Sequence, residues 1–217
     1  MSLAVAQGGG AGGGGGARGG FQGRRGGGAS ELSLSMRADV QKELAVTDDQ
    51  KTKLQALQDS MRQNRGGGAG GGGGAAGGGT PPDPAEMRKR MAQMQAEQHT
   101  ALAAILNAAQ MTRLHELLLQ RAGYGALTMD DVQTALGLSD DQKKQITDLA
   151  DKNRADNTAL MQKVRDQELT REEATDMRQK NQKAFTDALQ KVLTSDQDAK
   201  FKAMQGKTFT FETGNGG

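Results

Sequence analysis

The sequence contains no cysteine and no tryptophan, and its aromatic residues are five phenylalanines and one tyrosine. The absence of cysteine excludes disulfide bonds and thiol chemistry. No apolar run approaches the roughly 18 residues that a membrane-spanning helix needs, so we expect no membrane span. Because large core residues are few, the composition favours long helices in a thin layer, or a homodimer that shares one core, over a compact globule.

An excess of charge of one sign is also missing. The chain has 28 basic and 26 acidic residues and a net charge of +2, which gives no general argument for a nucleic-acid partner. The sequence shows no catalytic Ser/His/Asp pattern and no phosphate-binding loop, so we expect no catalytic residue, small-molecule substrate or cofactor. His99 and His115 are the two histidines, and their wide spacing without cysteine predicts no metal site.

Glycine, in contrast, is abundant, and most of the 32 glycines lie in two tracts, residues 8–28 and 66–79. Such tracts cannot bury enough apolar surface to offset chain entropy, so we expect both to be disordered. The leader also carries Arg18, Phe21 and Arg24, and it is similar to RGG-type RNA-binding tails. A flexible spacer is the interpretation that we favour for it.

The first residues resemble the end of a secretory signal peptide. Ala4-Val5-Ala6 has the small-x-small pattern of a cleavage site, and Gln7 would be the first mature residue. We therefore expect a periplasmic or otherwise exported protein.

A recurring pattern predicts where helices begin: a hydrophobic residue, then Thr, Ser or Asn, two further residues, and Gln. This is a capping box, in which the first side chain accepts from the N3 amide and the glutamine reaches back to the N-cap amide. We also expect Ser35, Thr128 and Thr170 to cap helices and Asp83-Pro84 to start one. The pattern occurs at Leu44/Thr47/Gln50, Leu106/Asn107/Gln110, Leu138/Ser139/Gln142 and Leu193/Thr194/Gln197.

The two halves of the chain align on each other at offsets of 92 and 87 residues. We therefore predict an all-α fold of two repeated helical-hairpin units that form an elongated curved bundle. The predicted segments are a leader (1–34), a first repeat (35–123) with the 66–79 insertion at its hairpin tip, a second repeat (124–206), and a strand-like extended tail (207–217).

On these motifs, over roughly residues 36–206, the chain resembles the LTxxQ-motif family of exported helical proteins, the Spy/CpxP-like periplasmic chaperones. The resemblance implies thin, curved, dimeric hairpin cradles that hold unfolded proteins without ATP. It also implies that the motif residues serve folding. This chain has more motif copies than the usual pair, and typical members have no glycine tracts of this kind.

Several apolar positions at helical spacing are candidates for contact with a bound unfolded protein (a client). The hydrophobic core of an ordinary helical protein would show the same pattern. Methionine is flexible and polarizable, which suits a surface that accepts varied apolar segments. Asn153, Asn157 and Asn181 interrupt this stripe, which predicts either a weak, adaptable surface or helix turns that reach into solvent. The candidates are Met87, Met91, Met94, Leu102, Ile105, Leu160, Val164, Met177 and Phe185.

The sequence therefore predicts an exported, ATP-independent chaperone or envelope-stress adaptor, whose partners are unfolded or partly folded proteins. Two alternatives remain open. The first is an RGG-type nucleic-acid-binding protein that uses the leader, and the second is a purely structural envelope protein.

Overall fold

A computed structural model describes residues 30–67 and 84–212. These residues form nine α-helices, one 3₁₀ helix and no β-strand, which confirms the predicted all-α fold class. The α-helices are α1 (Glu31–Ser35), α2 (Ala38–Glu43), α3 (Asp48–Gly67), α4 (Pro84–Ala103), α5 (Ala108–Ala122), α6 (Asp130–Leu136), α7 (Asp140–Arg165), α8 (Arg171–Val192) and α9 (Ser195–Met204), and the 3₁₀ helix is Gly123–Thr128.

Capping boxes begin the longer helices where the sequence predicts them. The N-caps of α5, α7, α8 and α9 are Asn107, Ser139, Thr170 and Thr194, and each makes both reciprocal hydrogen bonds. The same pair of bonds joins Thr47 to the third residue of α3. Four consecutive residues satisfy two otherwise unpaired amides in each box, so these starts are determined locally.

Two predicted caps are wrong. Ser35 is the last residue of α1, which Ser30 caps, and its buried hydroxyl donates back to the Leu32 carbonyl (2.9 Å). Thr128 ends the 3₁₀ helix and donates to the Gly125 carbonyl (2.9 Å). The helices that these residues were expected to cap, α2 and α6, have no side-chain cap.

Local geometry follows the alignment of the two halves. The Val46 N–H donates to the Gln41 carbonyl (2.9 Å), and 92 residues later the Leu138 N–H donates to the Gln133 carbonyl (3.0 Å). Both glutamine side chains also donate to a carbonyl six residues earlier, at 2.9 and 2.8 Å. The short helices α2 and α6 are therefore anchored to their surroundings in the same way.

The core consists of two buried apolar clusters. The first lies among α1 to α5, and the second among the end of α5, the 3₁₀ helix and α6 to α9. Helix α5 belongs to both, because Leu117 and Leu118 lie in the first cluster and Leu119 in the second. Fully buried members include Leu34, Leu54, Leu102 and Leu114 in the first cluster and Leu127, Ile146, Leu189 and Phe201 in the second.

Helices α7 and α8 form a hairpin closed by the turn at residues 166–170. The 26 residues of α7 extend over about 39 Å. Ile146, near its start, lies in the second cluster, whereas Leu160 and Ala174, near the turn, are buried but belong to neither cluster. The outer half of the hairpin thus packs outside the two main cores.

Residues 207–212 form neither a helix nor a strand. The expected alternation is present in their burial, because Phe209 and Phe211 pack against the first cluster while Thr208 and Thr210 are exposed. Of the helices in residues 30–67 and 84–212, none combines the length and apolar character that crossing a membrane requires.

Candidate functional site

The motif glutamines form pairs that join helix starts. In the first half, the Gln50 side-chain amide donates to Gln110 Oε1 (2.9 Å), and the Gln110 amide donates back to Gln50 Oε1 (3.1 Å). In the second half, Gln142 and Gln197 make the same reciprocal bonds at 2.7 and 3.1 Å. Each pair fixes the start of one motif helix against the start of another.

These glutamines use nearly all of their hydrogen-bonding capacity. Each Oε1 also accepts from its own N-cap amide, at 2.9 to 3.0 Å. The second amide hydrogen of Gln50 is directed to the Ile105 carbonyl, that of Gln110 to the Leu44 carbonyl, and that of Gln142 to the Val192 carbonyl. Gln50, Gln110 and Gln142 are therefore saturated and leave no group for a ligand, so their role is structural.

The motif leucines are also structural. Leu44, Leu106 and Leu138 are buried, and Leu193 packs partly buried against the second cluster. The glutamine pairing itself was missed by sequence analysis, which placed each glutamine only in its own capping box. Its one signal was the presence of two motif copies in each half.

The candidate contact residues of α4 lie mostly toward the core. Leu102 is fully buried, and Ile105, just after the helix, packs partly buried against the first cluster, so both stabilise the fold. Met94 is half-buried. The side chains of Met87 and Met91 lie outside the described part of the chain.

The candidates on the α7–α8 hairpin are more accessible. Leu160 is buried, and Val164 and Phe185 are half-buried. Met177 is 40% exposed and Met161 is 50% exposed, and these are the large hydrophobic side chains that are exposed within the described residues. Sequence analysis missed Met161 because it directly follows Leu160 and so lies beside the apolar stripe of α7.

A groove of about 600 Å³ runs along this side of α7. Its lining combines apolar and amide groups and includes Ala150, Asn153, Asn157, Met161, Arg165 and Phe185. The Asn157 amide donates to Asn153 Oδ1 (3.3 Å), and the buried Asn157 Oδ1 has no hydrogen-bond partner among the described residues.

The charges on α7 and α8 balance one another along each helix. Lys144 pairs with Asp148 (2.7 Å), Lys152 with Asp156 (2.6 Å), and on α8 a third Lys–Asp pair follows the same i,i+4 spacing. Paired surface charges keep the helices hydrated without creating a field of one sign. The exposed apolar and amide groups therefore distinguish this surface.

The two histidines meet at one carboxylate. Glu31 on α1 contacts His99 Nδ1 on α4 (2.8 Å) and His115 Nδ1 on α5 (3.4 Å). Burial raises the pKa of Glu31, but hydrogen bonds from both histidines outweigh burial and hold this pKa below its usual value. The hydrogen bond to Glu31 raises the pKa of His115, and Asp131 lies 3.6 Å from its Nε2. No group of side chains in the described ranges has the arrangement of a metal site.

Comparison with family models, with curated proteins and with solved structures found no match to this chain. The arginine-containing leader lies outside the described residues. The groove along α7, with the exposed Met161 in its lining, is thus the candidate site that geometry supports best.

Proposed function

We propose that this chain is an exported, ATP-independent chaperone that holds unfolded or partly folded proteins on the outer half of the α7–α8 hairpin. The observation that carries the proposal is the exposure of Met161 in a groove partly lined by Phe185, together with the exposure of Met177 on α8. Unbranched methionine side chains adapt to apolar groups of different shapes, as promiscuous binding requires. The sequence resemblance supports export.

The polar part of the groove suits the same partners. Unfolded chains carry backbone N–H and C=O groups without intramolecular partners, and the exposed Gln162 and Arg165 side chains in the lining offer polar groups to them. A groove lined by amide, hydroxyl and guanidinium groups as well as apolar ones gains less from burial than an apolar groove, so binding would be weak and reversible. The proposal includes no catalytic step, cofactor or nucleotide.

Suppression of the aggregation of a reductively unfolded disulfide protein tests this function. Wild type at equimolar concentration should suppress light scattering without nucleotide. In M161Q/M177Q, the concentration needed for half-suppression should rise at least about threefold. The matched control A155Q/A184Q places the same new side chains at other exposed positions of the same helices and should behave as wild type.

Two outcomes would contradict the proposal. Wild type that fails to suppress aggregation at several-fold excess has no holding activity, and equal activity of M161Q/M177Q and wild type places the contact elsewhere. Binding to single-stranded RNA that is lost on deletion of residues 8–28, without suppression, would favour the nucleic-acid alternative. The absence of both activities would favour a purely structural protein.

A further inference from the structure

The segment after α9 is bound to the first half of the chain. Side chains of that half make hydrogen bonds to the main chain of the segment. The Gln120 side-chain amide donates to the carbonyls of Gln205 (2.6 Å) and Lys207 (2.8 Å), and Gln120 Oε1 accepts from the Phe209 N–H (2.9 Å). One glutamine thus holds three peptide groups of an irregular segment.

A second clamp holds the far end of this segment. Arg37 Nη2 donates to the Glu212 carbonyl (2.7 Å), and the Glu212 N–H donates to Asp39 Oδ2 (2.9 Å). The two clamp side chains are fixed by their own paired bonds of 2.9 and 2.6 Å. The hydrogen bond from Arg37 also lowers the pKa of the Asp39 carboxyl, so the clamp stays charged.

Two aromatic side chains anchor the segment between the clamps. Phe209 and Phe211 pack against the first cluster and lie edge to face, with ring centroids 5.0 Å apart. The guanidinium groups of Arg37 and Arg121 lie 5.8 and 5.3 Å from the Phe211 ring centroid. We call the surface formed by Arg37, Asp39, Gln120 and Arg121 the tail groove.

The tail groove contacts the main chain and two alternate side chains, so it suits an extended segment with aromatic residues at alternate positions more than one particular sequence. Main-chain hydrogen bonds hold the backbone, and side-chain contacts select an aromatic residue at every second position, as in other sites that bind extended peptides. Thr208 and Thr210 point away and are exposed. Gly206, with φ of +62°, separates the segment from α9, so the segment can leave without unwinding that helix.

We propose that the tail groove is a docking site for extended Phe-x-Phe segments of other proteins, and that residues 207–212 occupy it in cis. The groove lies on the first half of the chain, apart from the α7–α8 hairpin, so it does not depend on the holding activity proposed above. A short tether gives the cis segment an effective concentration on the order of millimolar. A groove with a Kd of about 0.1 mM would then be about 90% occupied by its own tail.

The test is fluorescence anisotropy of the labelled peptide Lys-Thr-Phe-Thr-Phe-Glu, the sequence of residues 207–212. The full-length variant F209S/F211S leaves the backbone in place but removes both anchors. It should bind the peptide about tenfold more tightly than wild type. The control peptide Lys-Phe-Phe-Thr-Thr-Glu has the same composition without the alternation and should bind at least about tenfold more weakly to the variant.

Equal, weak binding of both peptides to a folded F209S/F211S variant would overturn the proposal and leave the tail a purely structural strap. If that variant does not fold, amide hydrogen exchange of the wild-type protein tests whether an added peptide displaces the tail. Millimolar Phe-x-Phe peptide should then accelerate exchange of the Phe209 and Glu212 amides, and unchanged protection contradicts displacement. A wild-type dimer that dissociates in F209S/F211S would also overturn the proposal, because the tail would occupy the groove of a second copy.

Discussion

At the scale of single residues, a pair of equivalent positions shows how the two halves differ in local strain. Ala45, two residues after α2, has φ of +49°, and Gly137, directly after α6, has φ of +62°. Left-handed backbone costs a residue with a Cβ about 1–2 kcal/mol, whereas glycine adopts it freely. At this position the first half therefore tolerates strain that the second half avoids.

Exchanging these residues should have opposite effects. A45G should raise the free energy of unfolding by about 0.5–1 kcal/mol, because relief of strain exceeds the entropy that glycine adds to the unfolded chain. G137A should lower it by about 1 kcal/mol, since nothing lies within 4 Å of the added Cβ and only the backbone conformation opposes it. Chemical denaturation measures both, and destabilisation by A45G would contradict the account.

The glutamine pair should show strong coupling. Q50A and Q110A should each cost about 1–3 kcal/mol, because each leaves a half-buried amide without its partner. The double variant should cost less than the sum, with a coupling energy of about 1 kcal/mol in the double-mutant cycle. Q55A, at an exposed position of the same helix, should stay within about 0.5 kcal/mol of wild type. Additive single effects would contradict the pairing.

Glu31 and His115 should make stability depend on pH. The lowered pKa of Glu31 means that its contribution is present above about 4.5 and is lost as the pH falls through its folded-state pKa. The raised pKa of His115 means that its contribution is complete below about 6.5 and is lost as the pH rises through its folded-state pKa. The stabilisation should therefore be greatest between about pH 4.5 and 6.5.

The variant E31Q tests this window. The difference in unfolding free energy between wild type and E31Q should be on the order of 1 kcal/mol near pH 5.5 and smaller at pH 8. The same denaturation series with E97Q, which changes an exposed carboxylate on α4, provides the control. A difference that grows toward pH 8 would contradict the assigned contact.

At the scale of helices, the sequence predicts starts better than contacts. Asn107, Ser139, Thr170 and Thr194 were found because a capping box needs only four consecutive residues. Ser35 and Thr128 were assigned wrongly because their hydroxyls donate to carbonyls of the preceding turn and do not accept from the helix that follows. Gln50 and Gln110, 60 residues apart, and Arg37 and Glu212, 175 residues apart, meet only after folding. No local pattern reports such contacts.

The same distinction applies to the candidate site. Spacing identified Met177 and Phe185, but it also selected Leu102 and Leu160, because apolar periodicity marks a helix face without stating whether that face is covered. Met161 lay outside the stripe and became visible only through its exposure. Packing, which depends on the relative position of α7 and α8, decides which apolar residues are available to a partner.

At the scale of the whole molecule, two clusters share one helix. Helix α5 contributes to both, Met129 packs against both, and the tail returns from the second half to the first. We therefore expect the described helices to unfold in one cooperative transition. Calorimetry should give a van't Hoff enthalpy equal to the calorimetric enthalpy, and L189A, which opens a cavity in the second cluster, should shift that single transition downward. Two separated transitions would contradict this coupling.

The proposed function requires that unfolded proteins contact the outer half of the α7–α8 hairpin. Site-specific photocrosslinking tests it most directly, with the crosslinker at Met161 in one protein and at Ala155 of the same helix in another. With a reductively unfolded client, we predict several-fold more crosslinked client at position 161 than at position 155. Equal yields at both positions, or no crosslink at 161 while the protein suppresses aggregation, would contradict the account.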